Sequence, residues 1–342
     1  MPPSFAEFIL RRIAGLLAVL LVLSMMIFVL ARVVPGDPAR MALGPAASAA
    51  QIDAMRAQMG LDDPLPLQYV NFLGGAVQGD FGLSLISGRP VAAEVMGLLP
   101  ATLELVLATL VLMLVLGVPL GVLSARYQNT WGDTLLRLFS LVGVTMPAFL
   151  AAILLQLCAA YYLNDWPILG RIERGIGAPD GPTGLLTIDG LLTGRLDVTL
   201  SALQHLAFPA IALSLSGIAQ IMRITRSAMI ENQRRDHVQT LRSFGVPGRV
   251  VTFRYLLKLS SVAPLTIMGL EFASLIGNAF VVEMVFAWGG FASHGLESIL
   301  QKDLNSVMAV VMLSGLFFVV ANLVIDIIVG LIDPRIRMKE GR

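Results

Sequence analysis

The sequence predicts an all-α integral membrane protein of six transmembrane helices, with a helical insertion on the outer side after the first. Three observations carry that prediction. Of 342 residues, 56% are hydrophobic and only 14% are charged, against roughly 25% charged in soluble domains. The apolar residues gather into six runs, each near or above the roughly 20 residues that a bilayer core demands. The basic residues, finally, sort to alternate sides of those runs.

The first run, from Ile13 to about Val34, follows Arg11 and Arg12. It exceeds the roughly 7–15 residues of a signal-peptide core and ends in no small-x-small cleavage site, so residues 1–34 read as an uncleaved anchor. Residues 35–98 form the outer insertion. Within it, Ser48 and Gln51 spell a capping box and Gly60 a helix stop. Asp62 or Asp63 then opens a second amphipathic helix with Leu67, Val70, Leu73 and Val77 as its apolar face.

The remaining runs make a core over 99–332: Leu99 to Ala125, Leu135 to Leu163, His205 to Met222, Ser261 to Ala287 and Val307 to Ile332. Pro119, Pro147, Pro209 and Pro264 interrupt them, which neighbouring helices tolerate in membranes. Gly117 and Gly121 have the spacing that lets two helices approach closely. Tyr161, Tyr162 and Trp166 sit where an interfacial belt belongs. The outer loop 164–204 is rich in Gly, Pro and Asp and reads as irregular; residues 333–342 form a tail.

The formal net charge of +1 conceals a strong asymmetry. The segments 1–12, 126–137, 223–258 and 333–342 hold 16 of the 24 Lys and Arg with 6 acids, whereas the opposite segments hold 8 with 13 acids. Both termini are therefore expected in the cytoplasm. Four acids, Glu104, Glu271, Glu283 and Asp326, fall inside the runs. Pairing with arginines or backbone groups is the favoured reading of these intramembrane candidates; substrate or proton contact is the alternative.

Several chemistries are excluded. A single Cys and three distant His (His205, His237, His294) write no metal site, and no Gly-Lys pair exists for a phosphate-binding P-loop. No run carries a Ser/His/Asp, Cys/His or HExxH set, so no catalytic residue is assigned. The bilayer is an implied partner; nucleic acid is not.

The loop 223–258 is the informative stretch. Val238, Leu241 and Phe244 recur every third residue, giving a short helix with one apolar stripe, and Gly245, Pro247 and Gly248 stop it. A short amphipathic helix facing the cytosol suits docking into a partner's groove. An ordinary basic inner loop is the plainer reading of the same residues.

That stretch resembles the EAA loop of ATP-binding-cassette importer permeases, with Gly245 as its glycine and Gln239, Thr240 and Leu241 at the E-A-A positions. Four other stretches resemble the first permease of the oligopeptide/dipeptide branch: Pro35-Gly-Asp-Pro38, Gly60-Leu-Asp-Asp-Pro64, Gly79-Asp-Phe-Gly-Leu-Ser84 running to Gly88-Arg-Pro90, and Leu99-Pro-Ala-Thr-Leu-Glu104. Val282 to Phe286 and Asp333-Pro-Arg-Ile-Arg337 extend the likeness to the end, although Gly289 stands where a proline is usual.

The resemblance implies the type I importer permease fold and a coupling loop of Asp236, Gln239, Thr240, Leu241, Arg242, Ser243 and Gly245. It implies a second homologous permease, two cytoplasmic ATP-binding subunits carrying the ATP and Mg²⁺, and a periplasmic substrate-binding protein. This chain would bind no cofactor itself. It would sit in a bacterial inner membrane and pass peptides or similar small solutes. A proton-coupled secondary transporter using Glu271 or Asp326, and a membrane-embedded enzyme, are the rival readings.

Overall fold

The computed structural model describes residues 5–33, 37–44, 46–163 and 166–332. Pro35, Gly36 and the 333–342 tail with Asp333 to Arg337 lie outside them. The described chain is helical throughout; its one strand-like feature is an isolated bridge between Leu83 and Pro90. Four helices are long and apolar enough to cross a membrane, and up to six do so if two bent pairs each count as one span.

The first span lies in α1 (Phe5–Val33). Its apolar residues face outward: Met25, Met26, Val29 and Leu30 are all exposed. Such a helix is stable only in lipid. The insertion follows as α2 (Pro38–Leu43), α3 (Ala49–Gln58) and α4 (Leu65–Val77). The capping box on α3 is present, with Ser48 and Gln51 exchanging side-chain and backbone hydrogen bonds.

Helix α4 departs from expectation. Pro64 precedes it without a side-chain cap, and neither Asp62 nor Asp63 serves as one. Its Leu67, Val70 and Val77 point out, while Gln68 is buried. The reason is local: Tyr69 and Phe72 pack on Phe28 of α1, at ring centroids 5.4 and 5.8 Å away, and the Tyr69 hydroxyl meets Ser24 at 2.8 Å. Those two rings outweigh the aliphatic stripe in deciding which face turns inward.

The second span is α5 (Val91–Arg126), interrupted at Met113–Gly117 by a π-helical turn. The expected third span is two helices, α6 (Trp131–Thr145) and α7 (Ala148–Tyr162), bent by 107°. Met146 precedes Pro147, and the ring excludes helical geometry from the residue before it. A short α8 (Leu186–Leu192) gives order to part of the loop that was expected to be irregular.

The fourth span, α9 (Leu196–Gln233), runs 38 residues, well past the expected His205 and Met222 on both sides. At 1.5 Å per residue it is about 57 Å long, more than the roughly 40–45 Å of a bilayer with its headgroups. Residues 223–233 of the predicted inner loop are therefore helix. After α10 (Asp236–Ser243), α11 (Gly248–Ser260) likewise absorbs the end of that loop and meets α12 (Val262–Val285) at a 48° bend. Finally α13 (Phe291–Gln301) lies before α14 (Leu304–Ile332).

Helix α9 is the spine, touching α5, α6, α7, α8 and α12. Close approach is written in glycine. A Cβ on Gly117 would come 2.9 Å from Ile221, on Gly121 2.6 Å from Thr225, and on Gly143 2.8 Å from Ala219, all three on α9. Helices without those side chains pack backbone to backbone, the mode that membranes favour. Phe286, Phe291, Leu105, Met113 and Ile221 fill the core that results.

Candidate coupling helix and the polar clamps around it

Helix α10 begins at Asp236 and ends where Phe244 leaves helical geometry and Gly245 takes φ +75°. A side chain on Gly245 would meet no atom within 4 Å, so its role is conformational: glycine adopts the left-handed region without penalty. The turn lets the Val246 amide bond back to the Leu241 carbonyl at 3.2 Å.

Val238 is fully buried and Leu241 half-buried against a small apolar cluster of Val122, Ala125, Met229, Val251 and Leu256. These residues come from the ends of α5 and α9 and from the start of α11. Helix α10 is thus seated on three elements at once. The rest of the predicted set faces outward. Asp236, Gln239, Thr240, Arg242 and Ser243 are exposed, with Thr240 and Ser243 hydroxyls donating only to carbonyls of their own helix. Phe244, expected in the apolar stripe, is instead 80% exposed. It lies past the last helical turn, so the three-residue period no longer governs its direction.

Beside the helix lies a cavity of about 600 Å³ whose lining includes Arg126, Arg242 and Arg249. Three guanidinium groups around one recess favour an acidic occupant. An exposed aromatic tip, a polar outer face and this basic recess all lie on or beside α10.

Behind α10 stands a clamp that the sequence reading missed. The Asp133 carboxylate is fully buried and held by Arg226 of α9 through two bonds of 2.8 Å. Ser124 of α5 donates at 2.6 Å and the Asn129 amide at 3.1 Å. A bidentate, charge-assisted pair of this kind fixes three helices where α9 leaves the core. Its sequence trace is faint: Thr130 caps α6 and Asn129 takes φ +65°, both turn signals beside an acid.

The four intramembrane acids each have a partner. Glu104 accepts from Arg171 at 2.7 Å and from the Thr187 amide and hydroxyl at 2.7 and 2.8 Å. Glu283, fully buried, accepts from the Thr102 hydroxyl and, at 2.7 Å, from the Ser293 amide. Arg171 also lies 5.8 Å from the Trp288 ring, whose Nε1 donates to the Ala101 carbonyl at 2.8 Å. These two acids and their partners form one network at the end of the core opposite α10, tying the 166–195 loop to α5, α12 and α13. Glu271 accepts from Gln220 at 2.6 Å, and Asp326 lies 3.4 Å from Arg12. Neither joins the Glu104–Glu283 network. Among the described residues, no group of three His, Cys, Asp or Glu could hold a metal ion.

Comparison with known proteins agrees with this geometry. Residues 117–338 match the family model described as the binding-protein-dependent transport system inner membrane component, and residues 5–106 match its N-terminal companion. The chain is 35% identical over 338 residues to a probable D,D-dipeptide transport system permease protein of Escherichia coli, covering 99% of each. It is 33% identical over 332 residues to a dipeptide transport system permease protein of Alkalihalophilus pseudofirmus, covering 96% of this chain and 98% of the relative. A glutathione transport system permease protein of Escherichia coli is 31% identical over 333 residues, covering 97% and 99%.

Proposed function

Since the chain belongs to the family of binding-protein-dependent transport system inner membrane components, we propose that it carries peptides or similar small solutes as one permease of an ATP-driven importer. A second, homologous permease completes the pathway in this reading. Two cytoplasmic subunits bind ATP and Mg²⁺ and hydrolyse the nucleotide, a periplasmic protein delivers the substrate, and this chain binds no cofactor. The chain spans the inner membrane of a bacterium with both termini in the cytoplasm, an orientation supported by the 16 basic residues on one set of segments. The peptide class is supported by relatives named for dipeptide and glutathione transport.

The observation that carries the mechanism is the seating of α10. Two inward side chains, Val238 and Leu241, fasten the helix to α5, α9 and α11, while Gln239, Thr240, Arg242, Ser243 and Phe244 face a partner. Movement of an ATPase against that face is delivered directly to the ends of two spans. The Asp133–Arg226 clamp keeps those ends together, so they swing as a body rather than bend individually. Alternating access then follows from motion of the permease pair, driven from outside the bilayer.

The test is Gly245→Asp in the assembled transporter. The expected result is loss of nearly all peptide uptake, with membrane insertion and the thermal melt of the permease unchanged. Asp at φ +75° costs on the order of 1 kcal/mol, too little to unfold the core but enough to disturb the turn that ends α10 and aims Phe244. Wild-type uptake by the variant overturns the assignment.

A further inference from the structure

A cavity of about 560 Å³ lies well away from α10, between the end of α1, helices α3 and α4, the 80–88 segment and the start of α14. Helix α9 does not line it, so it stands apart from the central helix of the core. Phe28, Met59, Phe72, Phe81 and Met308 make its apolar walls, and Arg32, Gln68 and Asp80 are among its polar residues. A volume of this size with an apolar lining and a few polar groups is that of a small-molecule site.

The polar residues of the lining play different parts. Gln68 is 8% exposed; its Nε2 donates to the Leu61 and Asp63 carbonyls at 3.0 and 2.7 Å, but its Oε1 accepts nothing. Gln68 thus braces the wall from within, between the Leu61 and Asp63 carbonyls. Arg32, half-buried in the last turn of α1, meets the Phe28 ring at 5.2 Å, and no carboxylate partner stands beside it among the described residues. Asp80 uses Oδ1 to accept from the Gly82 amide at 2.9 Å; its other oxygen is available.

The cavity therefore offers a cation, Arg32, together with an acceptor, the free carboxylate oxygen of Asp80. Its position supplies the source of the ligand. Arg32 closes the Ile9–Arg32 span, and the turns before it present Met25, Met26, Val29 and Leu30 to the hydrocarbon. A molecule entering beside α1 comes from the edge of the bilayer, with its headgroup at the level of Arg32.

We infer that this cavity binds a phospholipid whose headgroup carries both a phosphate and a primary amine, phosphatidylethanolamine. The phosphate faces the Arg32 guanidinium. The ammonium donates to the Asp80 carboxylate, and the first acyl carbons lie against Phe28, Met59 and Phe72. The lipid would then add to the link between α1 and α4, which rests on the Phe28, Tyr69 and Phe72 rings and the Ser24 hydroxyl.

The full chain, reconstituted in nanodiscs with equal phosphatidylethanolamine and phosphatidylglycerol, is released into mild detergent and weighed by native mass spectrometry. About one phosphatidylethanolamine per chain is expected to survive the wash. Arg32→Gln and Asp80→Asn are each expected to lower its retention about tenfold, the weight of a charge-assisted contact, with circular dichroism melts unchanged. Asp80 is exposed, which keeps the test clear of misfolding. Equal retention by both variants, or equal retention of phosphatidylglycerol, overturns the assignment. So does displacement of the lipid by millimolar dialanine, which would make the cavity a peptide site.

Discussion

The two ends of the helical core are built on opposite plans. At the end holding Glu104 and Glu283, polar groups are turned inward upon one another, and a loop of coil and short helix is tied to α5, α12 and α13 by carboxylates. At the α10 end, two apolar side chains do the holding and the polar ones are turned outward. The first plan bonds its carboxylates from within, although Arg171 Nε and His294 Nε2 are buried without a hydrogen-bond partner. The second leaves an aromatic tip, a polar face and a recess with three arginines exposed. Within one chain, the direction in which polar groups point separates an end bonded to itself from the end that is proposed to meet a partner.

The largest effect that sharpens this contrast is expected from Glu104→Gln. Removing its charge leaves Arg171 facing a neutral group in a mostly buried site, a loss of about 3–5 kcal/mol where buried pairs are broken. Unfolding in detergent should show the full loss, while a cross-link between α10 and the proposed ATPase partner forms as before. A variant as stable as the wild type would remove charge as the organising principle of that end.

Next comes the pair Val238→Ala and Phe244→Ala on α10. The first deletes about two buried carbons and should cost about 1.5 kcal/mol, read as faster hydrogen exchange confined to residues 236–250. The second alters an exposed side chain, and its stability effect should stay within about 0.5 kcal/mol. Peptide-stimulated ATP hydrolysis by the assembled transporter should nevertheless fall for Phe244→Ala. If it does not, the outward face of α10 is solvent-facing decoration.

The smallest effect concerns pH. Burial pushes the Asp37 carboxyl up, but hydrogen bonds from Arg56 and the Ala39 amide more than offset this and hold it below the usual carboxylate range. A depressed folded-state pKa stabilises the folded form above the unfolded value, near 3.9, and that contribution disappears as pH falls through the folded value. The clasp of Asp37, Arg56 and Asp62 around α2 and α3 should therefore open to protease below about pH 4, whereas Arg56→Gln should open it at neutral pH.

How much of this was legible in the sequence depended on distance along the chain. The first, second and last apolar runs, the capping box at Ser48, and Val238 and Leu241 of the expected Val238, Leu241 and Phe244 stripe are local patterns that the structure reproduces; Phe244 turns out instead. The break at Pro147 was visible, but not the 107° that separates α6 from α7, because the angle is set by packing against α9. The length of α9 escaped notice because its extension past Met222 is charged and leaves no hydropathy signal. Asp133 with Arg226, and Glu104 with Arg171, join residues 93 and 67 positions apart. No local spacing encodes such pairs; only the fold brings them together.

The two π-helical turns, Met113–Gly117 in α5 and Val251–Leu256 in α11, carry a consequence of their own. Each holds one residue more than an α-turn would, and the surplus need not stay where it is. Passing it one turn along a helix rotates the intervening residues by about 100° and slides them about 1.5 Å without breaking the chain's path. The second of these turns begins three residues after Gly248, at the foot of α10. A push on α10 there has a slack residue to take up before any whole helix tilts, and its amide protons should be among the first in the core to exchange with solvent.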